Sequence, residues 1–133
     1  MPVSCETNNR LKTYLSLLEK WQPKINLISN NTLDIAWDRH FEDSLQLLNI
    51  LPEGEKTLFD LGSGAGFPGL VLAIAREDLN VHLVESDQKK CSFLKTVSRE
   101  TKTPVEIHNS RIETVSRETS PDIVTARALA SLV

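Results

Sequence analysis

The stretch Asp60–Gly69 reads Asp-Leu-Gly-Ser-Gly-Ala-Gly-Phe-Pro-Gly and holds four of the five glycines in this 133-residue chain. It follows Thr57-Leu58-Phe59-Asp60-Leu61, a short apolar run of the kind that forms a buried strand. It precedes Leu70 to Ala75, a continuous apolar helix, with Pro68 where the first helical turn tolerates proline. Glycines between a strand and a helix let the chain turn tightly and let a ligand reach the backbone without meeting a Cβ. A strand, loop and helix of this composition commit the chain to an α/β fold.

The downstream sequence extends that unit. Val81-His82-Leu83-Val84 predicts a second strand ending at Glu85. Asp87 then caps a helix running to about Arg99, with Cys91, Leu94 and Val97 inward. Val105-Glu106-Ile107 predicts a third strand nearer the sheet edge, and Asp122-Ile123-Val124-Thr125 starts a fourth. Strands alternating with helices at this spacing mean a doubly wound parallel sheet with helices on both faces, a Rossmann-like domain. Upstream, Leu11, Tyr14, Leu15, Leu18 and Trp21 give residues 8 to 22 the stripe of an amphipathic helix, which Pro23 stops. Ser29-Asn30-Asn31-Thr32 offers caps for a second helix over residues 33 to 50. Its stripe is Leu33, Trp37, Phe41, Leu45 and Leu48, joined by Ala36, His40 and Ser44. Pro52-Glu53-Gly54-Glu55 is a turn. One domain is expected, with helical residues 1–55 packed on a cofactor-binding part at 56–133. The pentapeptide Val-Ser-Arg-Glu-Thr occurs at 97–101 and 115–119 with unmatched flanks, so it marks no structural repeat.

Composition narrows the function. A net charge of −3 excludes a generally basic nucleic-acid coat, so any RNA contact needs a local patch. Aromatic residues at 5% argue against a stacking platform for single strands. No apolar run is long enough to span a bilayer and no signal-peptide layout opens the chain, so a cytoplasmic location is expected. Cys5 and Cys91 form no C-x-x-C pair, and Cys91 reads as a small buried hydrophobe. No metal-ligand set and no Ser/His/Asp constellation is visible, and no catalytic acid or base is assigned.

Two ligand classes fit the glycine loop. Gly64, Gly66 and Gly69 satisfy the G-x-G-x-x-G of a dinucleotide oxidoreductase. Asp60, however, stands two positions before Gly62. A carboxylate there suits a cofactor that carries a cationic amino group and no pyrophosphate, as S-adenosylmethionine does. Glu85, at a strand end, is placed to accept both ribose hydroxyls of an adenosine, which serves either class. The Asp-x-Gly-x-Gly-x-Gly arrangement favours a methyltransferase with Asp60, Gly62, Gly64 and Gly66 around its cofactor. A nicotinamide-dependent oxidoreductase fragment and a non-catalytic binding or interaction module are the alternatives.

Several further stretches stand in matching order and spacing: Asn26-Leu27; Arg39-His40-Phe41-Glu42-Asp43-Ser44-Leu45; the loop through Gly69; Val84-Glu85-Ser86 with Lys89-Lys90; Phe93-Leu94; Arg111-Ile112-Glu113; and Ala126-Arg127-Ala128. Together they make the whole chain resemble the GidB/RsmG family of guanine-N7 methyltransferases of small-subunit ribosomal RNA. The resemblance implies cofactor contacts at Gly62, Phe67, Glu85, Ile112, Glu113 and Arg127, with Ile112 and Glu113 over the adenine. It implies small-subunit ribosomal RNA, free or in an assembled subunit, as the partner. His40, on the apolar face of its helix, fits a core histidine and a pocket contact equally; Asp43 and Ser44 fit substrate contacts or groups bonded to the glycine loop. Lys89 and Lys90 read as solvated helix residues. Relatives continue beyond the position of Val133, so the resemblance implies a domain incomplete on its C-terminal side, its fourth strand an exposed edge open to self-association.

Overall fold

The computed structural model describes residues 4–28, 35, 37–114 and 120–126. The expected caps at Ser29 to Thr32, the stripe residues Leu33 and Ala36, the second Val-Ser-Arg-Glu-Thr copy and Arg127 lie outside them.

Helix α1 spans Cys5–Trp21, starting earlier than its apolar stripe alone suggests because Ser4 caps it, accepting the Thr7 N–H at 3.1 Å. Its inward face is the fully buried set Leu11, Tyr14 and Leu18, at helical spacing. After Trp21 the chain turns around Gln22, a buried amide whose Nε2 donates to the Ile28 carbonyl and whose Oε1 accepts from Leu27 and Ile28 N–H.

The second helical region differs from the regular helix expected over 33–50. Trp37–Glu42 is wound as a π-helix, Asp43–Gln46 is α-helical (α2), and Leu47–Asn49 closes as a 3₁₀ turn. His40 and Phe41 in the wide turn and Ser44 and Leu45 in α2 are all buried.

Strands β1 (Lys56–Leu61), β2 (Leu79–Glu85), β3 (Glu106–Asn109) and β4 (Ile123–Thr125) form one sheet in the order β3-β2-β1-β4. All the pairings are parallel. Helix α3 (Gly69–Ala75) connects β1 to β2, and α4 (Gln88–Glu100) connects β2 to β3. Asp87 caps α4 as its position in the sequence predicts, accepting from Lys89 and Lys90 N–H. Leu58 pairs in register with Val81 and Asp60 with Leu83, which puts these side chains on the helix-covered face. There Leu58, Val81 and Leu83 join Leu11, Tyr14, Phe41, Leu70, Leu72, Phe93 and Leu94 in a single apolar cluster.

From β1 the chain steps outward to β2 and β3, then returns to pair β4 on the other flank of β1. The strand order therefore reverses between β1 and β4, the switch point at which open parallel sheets form a crevice beyond their carboxyl ends. Among the described strands, β3 and β4 are the two outer ones. No described helix is long and apolar enough to cross a membrane.

Candidate cofactor site

The glycine loop lies at the carboxyl end of β1, beside the end of β2. It is anchored to β2 by its backbone: the N–H groups of Gly62 and Ser63 both donate to the Val84 carbonyl, at 2.8 and 3.0 Å. The Gly66 N–H returns to the Ser63 carbonyl at 2.7 Å, and the Ser63 hydroxyl donates to the Asp60 carbonyl.

The loop has two sides with different chemistry. At Gly62 an added Cβ would meet nothing within 4 Å, and at Gly64 only the Gly62 carbonyl oxygen at 3.9 Å. At Gly66 it would strike the Tyr14 hydroxyl and approach Leu70 Cβ at 3.0 Å and Leu94 Cδ2 at 3.1 Å. At Gly69 it would lie 2.6 Å from Asp60 Cβ and 2.7 Å from Leu83 Cδ2. Gly62 and Gly64 thus leave room on the open side, while Gly66 and Gly69 are small because the core lies against them. Gly64 and Gly66 also stand at φ +57° and +98°, backbone conformations that side-chain-bearing residues rarely adopt.

Glu85 stands on the open side with 8% of its surface exposed. Its Oε1 accepts the Gly64 N–H and its Oε2 the Asp87 N–H, each at 2.8 Å. The Ser110 N–H donates to the Glu85 carbonyl at 3.1 Å, tying the end of β3 to the end of β2. Ile112 and Glu113 follow in a 3₁₀ turn, Ile112–Thr114, with exposed side chains, unusual for an isoleucine so close to a sheet. Beneath Glu85, the Cys91 thiol donates to the same carbonyl at 3.2 Å. Burial, then the Glu85 charge, pushes that thiol's pKa up, so Cys91 is held as a protonated packing group.

Three residues expected at the cofactor lie behind the loop. Asp60 is fully buried, its Oδ1 accepting from the Thr125 hydroxyl at 2.8 Å and its Oδ2 from the Gly69 N–H at 3.3 Å. The carboxylate thus joins β1, β4 and the start of α3 across the switch point. Gly66 turns its Cα toward the core. The Phe67 ring is 3% exposed, stacked between Tyr14 (centroids 5.5 Å apart, planes at 3°) and His40 (4.9 Å, 20°). His40 is thereby a buried ring beneath the loop, and Ser44, also buried, donates to the His40 carbonyl at 2.7 Å rather than to the glycine loop. Asp43 is exposed.

Two supports of the loop do not stand out in the sequence. Tyr14 is one apolar-stripe residue among five, yet its hydroxyl donates to the Ala65 carbonyl inside the loop. A tyrosine on a buried stripe carries a hydroxyl that needs a partner, and that signal was available. Thr125, the partner of Asp60, had no local signal.

Comparison with known proteins adds the following. A family model described as GidB, rRNA small subunit methyltransferase G, matches residues 7–133. Ribosomal RNA small subunit methyltransferase G of Rhodospirillum centenum is 55% identical over 98% of this chain and 59% of its own length. Its counterpart in Paramagnetospirillum magneticum is 54% identical, covering 98% of this chain and 62% of the relative. The chain thus spans about three-fifths of the length of these relatives. Among solved structures, precorrin-6y C5,15-methyltransferase from Geobacter metallireducens aligns with a TM-score of 0.57 at 13% identity, over 76% of this chain and 50% of that one. Coclaurine N-methyltransferase, bound to N-methylheliamine and SAH, aligns with a TM-score of 0.56 at 20% identity, over 62% of this chain and 25% of that one. The fold is that of a Rossmann-like methyltransferase.

Proposed function

Because this chain belongs to the GidB family, rRNA small subunit methyltransferase G, we propose that its glycine loop and Glu85 hold S-adenosylmethionine for methylation of guanine N7 in small-subunit ribosomal RNA. The observation that carries the reading is the open backbone of Gly62 and Gly64 beside the Glu85 carboxylate, at the switch point of a parallel sheet. A cofactor can lie against that backbone where a Cβ would otherwise stand. Glu85 accepts its ribose hydroxyls, sharing or replacing the Gly64 and Asp87 N–H groups it now binds. Ile112 and Glu113, exposed at the end of β3, cover the adenine, and Arg127 supplies a further contact. Asp60 serves from behind by fixing the loop against β4.

When bound, S-adenosylmethionine supplies a methyl group already activated on a sulfonium. Guanine N7 presents a lone pair and no proton, so the protein's groups have no proton to remove. Their work is alignment and exclusion of water, for which a rigid loop suffices. Neither the nicotinamide alternative nor the non-catalytic module is favoured by a family match that runs through the whole site.

The direct test is transfer of labelled methyl from S-adenosylmethionine to small-subunit ribosomal RNA, both free and in the assembled subunit, with the product base mapped. Label at a guanine N7 supports the reading. A folded chain that binds the cofactor and labels neither substrate restricts this chain to cofactor binding and defeats the methylation part.

A further inference from the structure

We propose that Tyr14 is a positioning residue for the cofactor loop, so that helix α1 sets how tightly the cofactor is held without touching it. This rests on the reading that Gly62, Gly64 and Glu85 bind S-adenosylmethionine.

Three contacts from one side chain converge on the loop's inner side. The Tyr14 hydroxyl donates to the Ala65 carbonyl. That acceptor sits in a buried turn, where an unpaired carbonyl would carry a desolvation cost. The Tyr14 ring stacks parallel on Phe67, two residues along the loop. The hydroxyl also occupies the space that a Cβ at Gly66 would need, so residue 66 must be glycine for the contact to form. Ala65, Gly66 and Phe67 are therefore held by one residue 51 positions upstream of Ala65, and Gly64, whose N–H meets Glu85, is the next residue in line. Tyr14 is itself locked: fully buried, with Phe41 edge-on at 5.0 Å and Phe93 tilted at 6.2 Å. A rigid tyrosine on a helix thus fixes the curvature of a glycine-rich segment that has little stiffness of its own.

The test compares Tyr14→Phe with Leu18→Val, a loss of packing one turn further along the same helix. Tyr14→Phe keeps the ring stack and removes only the hydroxyl. Its expected effect is S-adenosylmethionine binding weaker by up to roughly tenfold, the worth of one buried hydrogen bond setting the ceiling on what a loosened loop can lose. Amide exchange of Gly64 to Gly66 should speed up while that of β2 stays unchanged. Leu18→Val should leave both the affinity and the loop exchange as they are. In a second arm, Gly66→Ala should cost less in the Tyr14→Phe background than alone, because the added methyl no longer meets the hydroxyl. If the unmodified chain binds the cofactor and Tyr14→Phe binds equally well, Tyr14 is only a core residue and the proposal fails. It fails also if Leu18→Val weakens binding as much. If the unmodified chain is folded and does not bind, the cofactor reading is what fails, and the proposal falls with it.

Discussion

Glu85 and Gly64 are joined by a hydrogen bond of 2.8 Å from the backbone of one to the carboxylate of the other, across the gap between the ends of β2 and β1. The acid proposed to grip a ribose therefore also holds one of the two open glycines of the loop. Replacing Glu85 with Ala should remove both functions. S-adenosylmethionine affinity should fall roughly 10- to 100-fold, the range expected for hydrogen bonds to a charged group. Titration calorimetry measures it. Glu85→Gln should fall between, because its amide nitrogen must face one of two N–H donors.

Gly64→Ala and Gly69→Ala should separate binding from folding. The methyl at Gly64 enters open space, so its stability cost is the backbone one, about 1–2 kcal/mol for a left-handed residue. Its main effect should be weaker cofactor binding. The methyl at Gly69 runs into Asp60 and Leu83, an overpacking cost of about 1–3 kcal/mol that chemical denaturation will report. Equal stability losses with equal affinities would contradict the two-sided loop.

Asp60→Asn tests the brace across the switch point. Asparagine keeps one acceptor oxygen for the Gly69 N–H and can meet the Thr125 hydroxyl only by donating to it, which replaces the hydrogen bonds of a buried carboxylate by those of a neutral amide. A loss of about 1 kcal/mol is expected. Faster amide exchange at Val124 and Thr125 should accompany it, showing β4 loosened from β1.

His82 predicts a pH dependence. Its ring stacks on Phe59 at 4.4 Å, and its Nδ1 lies 3.0 Å from His108 Nε2, on the sheet face away from α3 and α4. Burial lowers its pKa, the neighbouring His108 lowers it further, and Glu106 partly offsets both. The unfolded chain therefore takes up this proton first as pH falls. The stabilisation is complete above the ordinary histidine value of about 6.5 and declines below it. Denaturation midpoints should fall as the pH drops below about 6.5, and His82→Phe should flatten that fall. An unchanged slope in the variant would assign the pH dependence to other groups.

How much of this was legible in the sequence depends on how local the cause was. The strand, loop and helix around Gly62 to Gly69 could be read directly, since glycine spacing, Pro68 and the flanking apolar runs all point the same way. Asp87 as a cap and Cys91 as a packing residue were equally local. The helix over residues 33–50 was misread in its winding, because an apolar stripe with four-residue steps from Trp37 to Phe41 to Leu45 suits a wide turn as well as a regular one. Asp60 stands out in the sequence, but the direction of its carboxylate does not. Only the return of β4 beside β1 reveals that its carboxylate faces Thr125. The loop contact of Tyr14 likewise depends on a packing between residues 51 apart, which no local pattern encodes.

Calorimetric titration of this chain with S-adenosylmethionine, alongside Gly62→Arg and Glu85→Ala, tests the central claim most directly. The expected result is saturable binding at one site, abolished when arginine fills the open side at Gly62 and strongly weakened without Glu85, with all three proteins folded. A folded, unmodified chain that shows no binding, or binding that both variants retain, would contradict the assignment of the cofactor to this loop.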